Sequence, residues 1–224
     1  MGAPQHVDEA VLEDLHRRLR MTRPPRLPGG LGWERGTDPD YLAELVEHWA
    51  HRYDWREHEA RIHALPWADG VSALHQRASG PQAPAVVLLH GWPDSILRFE
   101  RVLPLLGDLD VVVPCLPGYP FGRAVTEPGM STAAMGEEVA AMIAELGHDR
   151  YIVSGGDIGS AVAEGMAAQH PDRVSALHLT DIPYGHILAI PAEELSDAER
   201  AYRAPGRRWS QTEGAYASEQ ATKP

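Results

Sequence analysis

The sequence predicts an α/β fold built on a mostly parallel sheet, and two features of its middle part carry this prediction. Strand-like runs occur at residues 85–89, 110–114, 151–154 and 174–180, and the first of them is a short unbroken apolar run of the kind that a buried parallel strand shows. Segments with helical spacing of apolar residues alternate with these runs. Strands that alternate with helices form parallel sheets, so we expect the runs to lie side by side in one sheet.

Residues 1–66 are predicted to form a separate, helical N-terminal segment. Apolar residues recur at helical spacing after Asp8, and a second helix is expected at Asp38, with Pro39 in its first turn. A third helix is expected after Asp54. We interpret the apolar faces of these helices as packing surfaces rather than as a binding site.

Residues 67–184 are predicted to form the α/β core. A weak strand or hairpin at 67–77 precedes the first buried strand, and a helix is predicted at 96–106. Ser131 is expected to cap a further helix that ends at Gly147.

The last predicted region, residues 185–224, is polar and helix-prone. Ser196 and Glu199 have capping-box spacing there, which indicates the start of a helix. We do not expect further strands of the sheet in this region.

Composition and charge exclude several classes of partner. No apolar run approaches the ~18 residues of a membrane span, and the polar N-terminus has no signal-peptide core, so we expect a soluble, cytoplasmic protein. A formal charge of −12 argues against nucleic acid and anionic membranes as partners. Cys115 is the single cysteine, and the twelve histidines are scattered, so neither a disulfide nor a metal site is predicted.

The strongest functional signal lies at residues 151–160. Four strand residues run into a glycine pair and one aspartate, Asp157, before a Gly-Ser that opens an Ala-rich helix. Small residues, Gly156 and Gly159, flank Asp157 on both sides. This build resembles the nucleophile elbow of α/β-hydrolases, in which small residues let the helix pack close to the strand. The nucleophile position holds Asp here instead of Ser.

That exchange changes the expected chemistry. A carboxylate is already an anion at neutral pH, so Asp157 would need no base to attack a carbon that bears a leaving group. The attack would form an alkyl ester, and only the hydrolysis of this ester by water would require a base. The alternative is that Asp157 merely caps the helix that follows, because Asp is common before a helix.

The first buried strand ends in His90, Gly91, Trp92 and Pro93. In an α/β-hydrolase, the oxyanion hole takes one N–H from the residue after the nucleophile and a second from a loop at the end of an earlier strand. By that rule the two donors would be the amides of Ile158 and Trp92. The alternative is that this tetrapeptide is only a turn.

Three motifs together are more specific than any one of them. Residues 90–95 (HGWPDS), 110–119 (DVVVPCLPGY) and 155–159 (GGDIG) stand in this order on alternating strands and resemble the epoxide hydrolases of the α/β-hydrolase superfamily. The N-terminal segment, with 36–38 (GTD) and 53–56 (YDWR), is similar to the extra N-terminal domain of the microsomal-type branch. The resemblance implies a small-molecule epoxide as substrate, a vicinal diol as product, an ester on Asp157, and no metal or organic cofactor.

The resemblance extends to the end of the chain. Residues 215–224 are similar to a segment of the family's lid domain that carries an epoxide-polarising tyrosine, so the resemblance implies that Tyr216 is the acid. A phenol is protonated at neutral pH and can donate a proton to the opening oxygen. The alternative is an ordinary amphipathic tyrosine on a lid helix.

Two departures from the family pattern lie near the predicted site. Ile158 stands where the family usually has Trp, which leaves the backbone donor intact and counts against the related haloalkane dehalogenases, because those enzymes use that Trp to hold halide. Asp94 replaces the usual Gly and adds a second carboxylate near the mouth of the site.

The largest departure concerns the base. The resemblance places the base His and its acidic partner after the lid, and we expect this chain to be truncated within the lid, so that it forms an incomplete α/β-hydrolase with an unpaired sheet edge. We expect His178 to be a packed residue, and Asp181 is at best a weak substitute for the missing acid. The alternative to a catalyst is a non-catalytic remnant, or a subunit that needs a complementing C-terminal polypeptide or a second copy.

Overall fold

A computed structural model describes residues 2–24, 30, 32–80, 83–182 and 185–222. The chain forms two compact units, Met1–His75 and Gln76–Pro224, which are described separately. The predicted boundary between core and lid, residue 184, lies outside the described residues. Among the described residues, no helix combines the length and the apolar character needed to cross a bilayer.

The first unit contains the three predicted helices, α1 (Glu9–Arg20), α2 (Pro39–His51) and α3 (Trp55–His63). The sequence placed two of the caps correctly. The Asp38 carboxylate accepts the amides of Asp40 and Tyr41 at the start of α2, and the Asp54 carboxylate accepts the amide of Arg56 at the start of α3. An antiparallel bridge between Trp67 and Leu74 forms the predicted hairpin.

The apolar faces of α1 and α2 pack only in part. Leu12, Leu19 and Ala50 are buried, whereas Leu45 and Trp49 keep more than two fifths of their surface exposed. An apolar cleft of about 450 Å³ remains in this unit, lined by Val7, Val11, Leu12, Leu15, Leu45, His48, Trp49, Tyr53 and Trp55.

A buried carboxylate holds the first unit together. Glu59 of α3 accepts the Val7 amide at 2.6 Å and the Arg56 guanidinium at 2.6 Å, and its Oε2 lies 3.1 Å from Nδ1 of His6. The Val7 amide, followed by Arg56 and His6, lowers the pKa of Glu59 to about 2. Candidate metal-ligand atoms of His6, Glu59 and His63 lie within 4.8 Å of one another, but the guanidinium of Arg56 already occupies the carboxylate as its cation.

The sheet has five strands, and its described pairings between β2, β3, β4 and β5 are parallel, as predicted. The strand order is β1-β3-β2-β4-β5. The strands are β1 (Ala73–Gln76), β2 (Ala85–Leu89), β3 (Asp110–Pro114), β4 (Tyr151–Gly155) and β5 (Val174–Leu179). All residues of β2 are buried, and so is β3 beyond Asp110, which explains their unbroken apolar runs.

Two helices cover one face of this sheet: α4 (Thr132–Glu145) and α5 (Ile158–Gln169). The Ser131 hydroxyl caps α4 by accepting the Ala134 amide, and Gly147 follows the helix with a φ of 89°, as predicted. The core that the helices and the sheet share includes Val87, Leu89, Val139, Ile143, Val153, Val162 and Met166. Burying each such side chain contributes roughly 1.5–3 kcal/mol to stability.

The predicted helix at 96–106 is wrong. Two short 3-10 turns, Ile96–Phe99 and Leu103–Leu105, occupy this segment. Pro104 lacks the N–H that an α-helix would need at that position, so the helical hydrogen bonding cannot run through it.

The last region is helical, as predicted. It contains α6 (Gly185–Ala189), α7 (Asp197–Thr212) and α8 (Ala215–Thr222). Ser196 and Glu199 form the predicted capping box at the start of α7.

The edge strand β5 differs from the other strands of the second unit because most of it faces solvent. Its residues from Ser175 to His178 are exposed, and 41% of Leu177 is accessible. The expectation that His178 is a packed residue is therefore wrong. Its position opposite Ser154 on β4 allows a hydrogen bond of 2.8 Å between Nδ1 and the Ser154 hydroxyl, but the edge of a sheet cannot bury it.

Candidate active site

Asp157 lies at the tight turn between β4 and α5. Its backbone has a φ of 56° and a ψ of −129°, and Asp157 is one of two non-glycine residues with positive φ among the described residues. Such a conformation costs on the order of 1–3 kcal/mol and is held by the surrounding structure. The turn therefore has the strained geometry of a nucleophile elbow.

Gly159 allows α5 to approach β2 closely. A Cβ atom at this position would lie 2.5 Å from the carbonyl oxygens of Leu89 and of His90. Because those atoms belong to the backbone, they cannot move aside as a side chain could. The small residue is required by packing, as the sequence pattern indicated.

The side chain of Asp157 does not cap α5, although Asp157 occupies the N-cap position. Its Oδ1 instead accepts the backbone amide of Trp92 at 2.8 Å, 65 residues earlier in the chain. A Cβ atom at Gly91 would lie 2.4 Å from this Oδ1, so Gly91 leaves the space in which the carboxylate sits. The capping interpretation is wrong, and Trp92 and Asp157 lie together at one site.

His90 supports the loop that carries Trp92. The imidazole is fully buried, and its Nε2 accepts the Leu116 amide at 3.2 Å, which places the proton on Nδ1, 3.3 Å from the Gly91 carbonyl oxygen. Burial lowers the pKa of His90. The neutral ring thus joins the ends of β2 and β3, and after Pro93 the Asp94 amide closes the turn on the Gly91 carbonyl at 3.1 Å.

Ile158 is the first residue of α5. The first amides of a helix have no partner within the helix, and the positive end of the helix dipole lies at the same place. The Trp92 amide thus contacts the Asp157 carboxylate, and Ile158 follows Asp157 directly in the chain.

Tyr216 of α8 lies over Trp92. The two rings stack with centroids 6.1 Å apart and planes 16° from parallel, and Trp209 of α7 contacts Tyr216 edge-on at 6.4 Å. Trp92 thus contacts both the predicted acid and the predicted nucleophile. Its backbone amide donates a hydrogen bond to the Asp157 carboxylate, and its indole stacks on the ring of Tyr216.

A cleft of about 680 Å³ opens beside Trp92. Its lining is mainly apolar and consists of Trp92, Pro93, Asp94, Pro117, Gly118, Tyr119, Pro120, Val125, Met130 and Met135. Asp94 forms an ion pair with Arg98, in which its Oδ2 lies 3.5 Å from Nη1 of the guanidinium.

Tyr119 is a site residue that the sequence did not single out. Its ring contacts His90 edge-on at 5.1 Å and lines the cleft. Burial, and then the negative charge of Asp157, raise the pKa of its hydroxyl. Its place at the end of the 110–119 motif was the available signal.

Asp181 was expected at best as a weak substitute for the missing acid, and the structure gives it a different contact. Both of its carboxylate oxygens lie 2.9 Å from the backbone amide nitrogen of Asp157. The sequence places Asp181 just after β5, but only the pairing of β5 with β4 brings it to Asp157.

Each of the five histidines of the second unit has a partner other than Asp157. Those partners are the Leu116 amide for His90, Asp110 for His148, Glu137 for His170, Ser154 for His178 and Glu164 for His186. In the described part of this unit, no hydrogen bond or ion pair joins a histidine to Asp157.

Comparison with known proteins agrees with this geometry. The model of the family described as "alpha/beta hydrolase fold" matches residues 84–217, and that of "Epoxide hydrolase N terminus" matches residues 3–99. A Stigmatella aurantiaca protein whose name contains "epoxide hydrolase" is 31% identical over 97% of this chain and 53% of its own length. Juvenile hormone epoxide hydrolase 1 of Ctenocephalides felis is 27% identical over 84% of this chain and 48% of its own.

Solved structures extend the comparison to three dimensions. The epoxide hydrolase of Aspergillus niger superposes with a TM-score of 0.82 and 27% identity, covering 100% of this chain and 63% of its own. The chain spans about half the length of the curated relatives named above. By sequence and by structure, the chain belongs to the α/β-hydrolase superfamily, and the relatives and solved structure named above to which it is similar are named as epoxide hydrolases.

Proposed function

We propose that this chain carries the ester-forming half of the epoxide hydrolase reaction. A carboxylate oxygen of Asp157 attacks one ring carbon of an epoxide, the bond from that carbon to the ring oxygen breaks, and an alkyl ester forms. The ring oxygen takes a proton from the phenol of Tyr216 and becomes a hydroxyl. The observation that carries this proposal is the 2.8 Å contact between the Trp92 amide and Asp157 Oδ1, which leaves Oδ2 to attack.

The second half-reaction releases the product. Water attacks the ester carbonyl, and the negative oxygen that forms is stabilised by the amides of Trp92 and Ile158, a contribution of about 2.7–4 kcal/mol per donor in serine hydrolases. The bond between the carbonyl carbon and the alkyl oxygen then breaks, the alkyl oxygen takes one proton of the water, and the other proton returns to the Tyr216 phenolate. The vicinal diol and the Asp157 carboxylate are released. Because none of the described histidines of the second unit forms a hydrogen bond or ion pair with Asp157, we expect the ester on Asp157 to be hydrolysed slowly and to accumulate.

The lining of the cleft favours neutral, apolar epoxides. Proline, methionine and aromatic side chains offer apolar contact, and the negative charge of Asp157, which acts on the lining residue Tyr119, would repel an anionic substrate. The names of the relatives, which include juvenile hormone epoxide hydrolases, support an epoxide as the substrate class.

Intact-mass measurement tests the proposal directly. After incubation with styrene oxide, we expect the wild-type chain to gain the mass of one epoxide, and peptide mapping to locate the adduct on Asp157. Asp157→Asn removes the nucleophilic carboxylate and should abolish the adduct, whereas Asp172→Asn should retain it. An adduct that survives in Asp157→Asn, or no adduct on the wild-type chain, would refute the assignment and favour a non-catalytic remnant.

A second role is favoured by the exposed edge strand. The accessible residues of β5 and an exposed Leu177 support a fold that is completed by a complementing polypeptide or by a second copy of the chain. Light scattering of the purified chain should detect a dimer or a bound second polypeptide, and a monodisperse monomer would contradict this role.

The remaining alternative is a haloalkane dehalogenase, which halide release from a bromoalkane would test. We expect no release, because Ile158 supplies no indole N–H to hold the halide.

A further inference from the structure

The two residues that follow β5 lie against the elbow. Thr180 donates its amide to the Gly155 carbonyl at 3.0 Å, and Asp181 accepts the Asp157 amide through both carboxylate oxygens at 2.9 Å. A Cβ atom at Gly156 would lie 2.4 Å from the Thr180 hydroxyl oxygen, so the contact between the two segments is close. The turn that carries Asp157 is thus held from the side of β5 as well as from the side of Trp92.

The contact involves the strained residue itself. Asp157 has a positive φ, which orients its amide N–H away from the direction expected in a helix or strand. Non-glycine residues keep such a conformation only where neighbouring groups determine it. A carboxylate is a stronger acceptor of an N–H than a neutral oxygen, and here both oxygens receive the same N–H.

We propose that Asp181 is a positioning residue for Asp157: its carboxylate anchors the Asp157 amide and thereby holds the Asp157 side chain beside the amide of Trp92. The proposal rests on the nucleophilic role of Asp157 proposed above. Asp181 does not contact the substrate in this role and moves no proton. It fixes the backbone from which the nucleophile projects.

The rate of adduct formation with styrene oxide tests the proposal through two variants. Misplacement of a reacting group by about 1 Å can cost ~10²-fold in rate, so we expect Asp181→Ala to lower the saturating rate by about that factor. Asp181→Asn keeps one carbonyl acceptor and should retain more, with a loss of about 10-fold, since charged hydrogen bonds are roughly twice as strong as neutral ones. The epoxide concentration that gives half the maximal rate should stay unchanged.

Asp172→Asn and Asp172→Ala are the matched controls. Asp172 is an exposed aspartate that precedes the other end of β5, so these variants make the same changes of charge and size. They should react at the wild-type rate. A uniform effect of all four variants would indicate that net charge, not the anchor, controls the rate.

The amide of Asp157 provides a readout that does not depend on reactivity. In chain labelled with ¹⁵N-aspartate, its signal is assigned by its disappearance in Asp157→Asn. An amide proton bonded to a carboxylate resonates downfield, so the signal should move upfield in Asp181→Asn and further in Asp181→Ala, and stay in place in both Asp172 variants. If Asp181→Ala fails to fold by near-ultraviolet circular dichroism, Asp181→Asn decides through the same signal and rate.

The outcomes separate the two proposals. A wild-type chain that forms no adduct refutes the nucleophilic role of Asp157 and removes the basis of positioning with it. A reactive wild-type chain together with an equally reactive Asp181→Ala, or an Asp157 amide signal that does not move, refutes the positioning role alone.

Discussion

The carboxylates of Glu59 in the first unit and Asp157 in the second both accept a hydrogen bond from a backbone amide in a distant part of the chain. They differ in their exposure to solvent and in the number of their other donors. Glu59 is 3% exposed and accepts the Val7 amide, with Arg56 and His6 also in contact. Asp157 is exposed, and the described structure gives its carboxylate one donor, the Trp92 amide. Glu59 is surrounded by donors, whereas Asp157, the proposed nucleophile, has one oxygen for which no donor lies among the described residues.

The difference is the one that we expect between a structural carboxylate and a nucleophilic one. Donors on both oxygens stabilise the charged form of Glu59, lower its pKa to about 2 and occupy the lone pairs that could attack a substrate. In Glu59 the neighbouring groups hydrogen-bond the side-chain carboxylate, whereas in Asp157 a neighbouring carboxylate hydrogen-bonds the backbone amide. Asp181 bonds the Asp157 amide, and Gly91 and Gly159 leave room around the turn.

The reactive side of this comparison is tested most strongly at the proposed acid. Tyr216→Phe keeps the ring that stacks on Trp92 and removes the proton donor, so adduct formation with styrene oxide should fall by about 10²–10⁴-fold. Tyr41→Phe, an exposed tyrosine of the first unit, should have no effect. A wild-type rate in Tyr216→Phe, measured by intact mass over time, would remove the acid from the mechanism.

The space around the Asp157 carboxylate is tested at Gly91. Gly91→Ala puts a Cβ atom 2.4 Å from Oδ1, so the side chain must leave the Trp92 amide, and the rate should fall by about 10²-fold. Gly107→Ala, where no atom lies within 4 Å of the new methyl group, should react normally. Equal adduct rates in the two variants would contradict this view of the site.

The packing under the elbow is tested by two glycines of the same helix. Gly159→Ala would place its methyl group 2.5 Å from two carbonyl oxygens and should lower the free energy of unfolding by about 1–3 kcal/mol or more. Gly165→Ala meets nothing closer than 4.0 Å and should raise that free energy by roughly 0.5–1 kcal/mol, because alanine favours the helix. Urea unfolding measures both, and a Gly159→Ala variant as stable as wild type would contradict the close approach.

The structural side of the comparison is tested by pH. The pKa of Glu59 is lower in the folded chain, about 2, than its ordinary value of 4.5, so its contribution to stability is present above pH 4.5 and is lost as the pH falls towards 2. Glu59→Gln should therefore lower the melting temperature at pH 6, and its difference from wild type should shrink between pH 4.5 and 2. Glu57→Gln, at an exposed position of α3, should show no such convergence. A difference that stays constant with pH would show that Glu59 stabilises by shape alone.

Much of the fold could be predicted because its signals are local. Asp38, Ser131 and Ser196 mark helix starts, and apolar runs mark buried strands, through properties of residues a few positions apart. The helix predicted at 96–106 is wrong because Pro104 interrupts the helical hydrogen bonding that the apolar spacing indicates. His178 was misjudged because an apolar neighbourhood in sequence does not reveal that a strand lies at the edge of the sheet.

The sequence alone determined the elbow, because Gly156, Asp157 and Gly159 are neighbours whose sizes decide what the backbone between a strand and a helix can do. The tertiary structure decided which distant groups surround it. Trp92 lies 65 residues and Asp181 24 residues from Asp157, and strand order, rather than any local pattern, brings the ends of β2, β4 and β5 together. Contacts across a sheet depend on which strands pair, and that choice is made by the burial of the whole core.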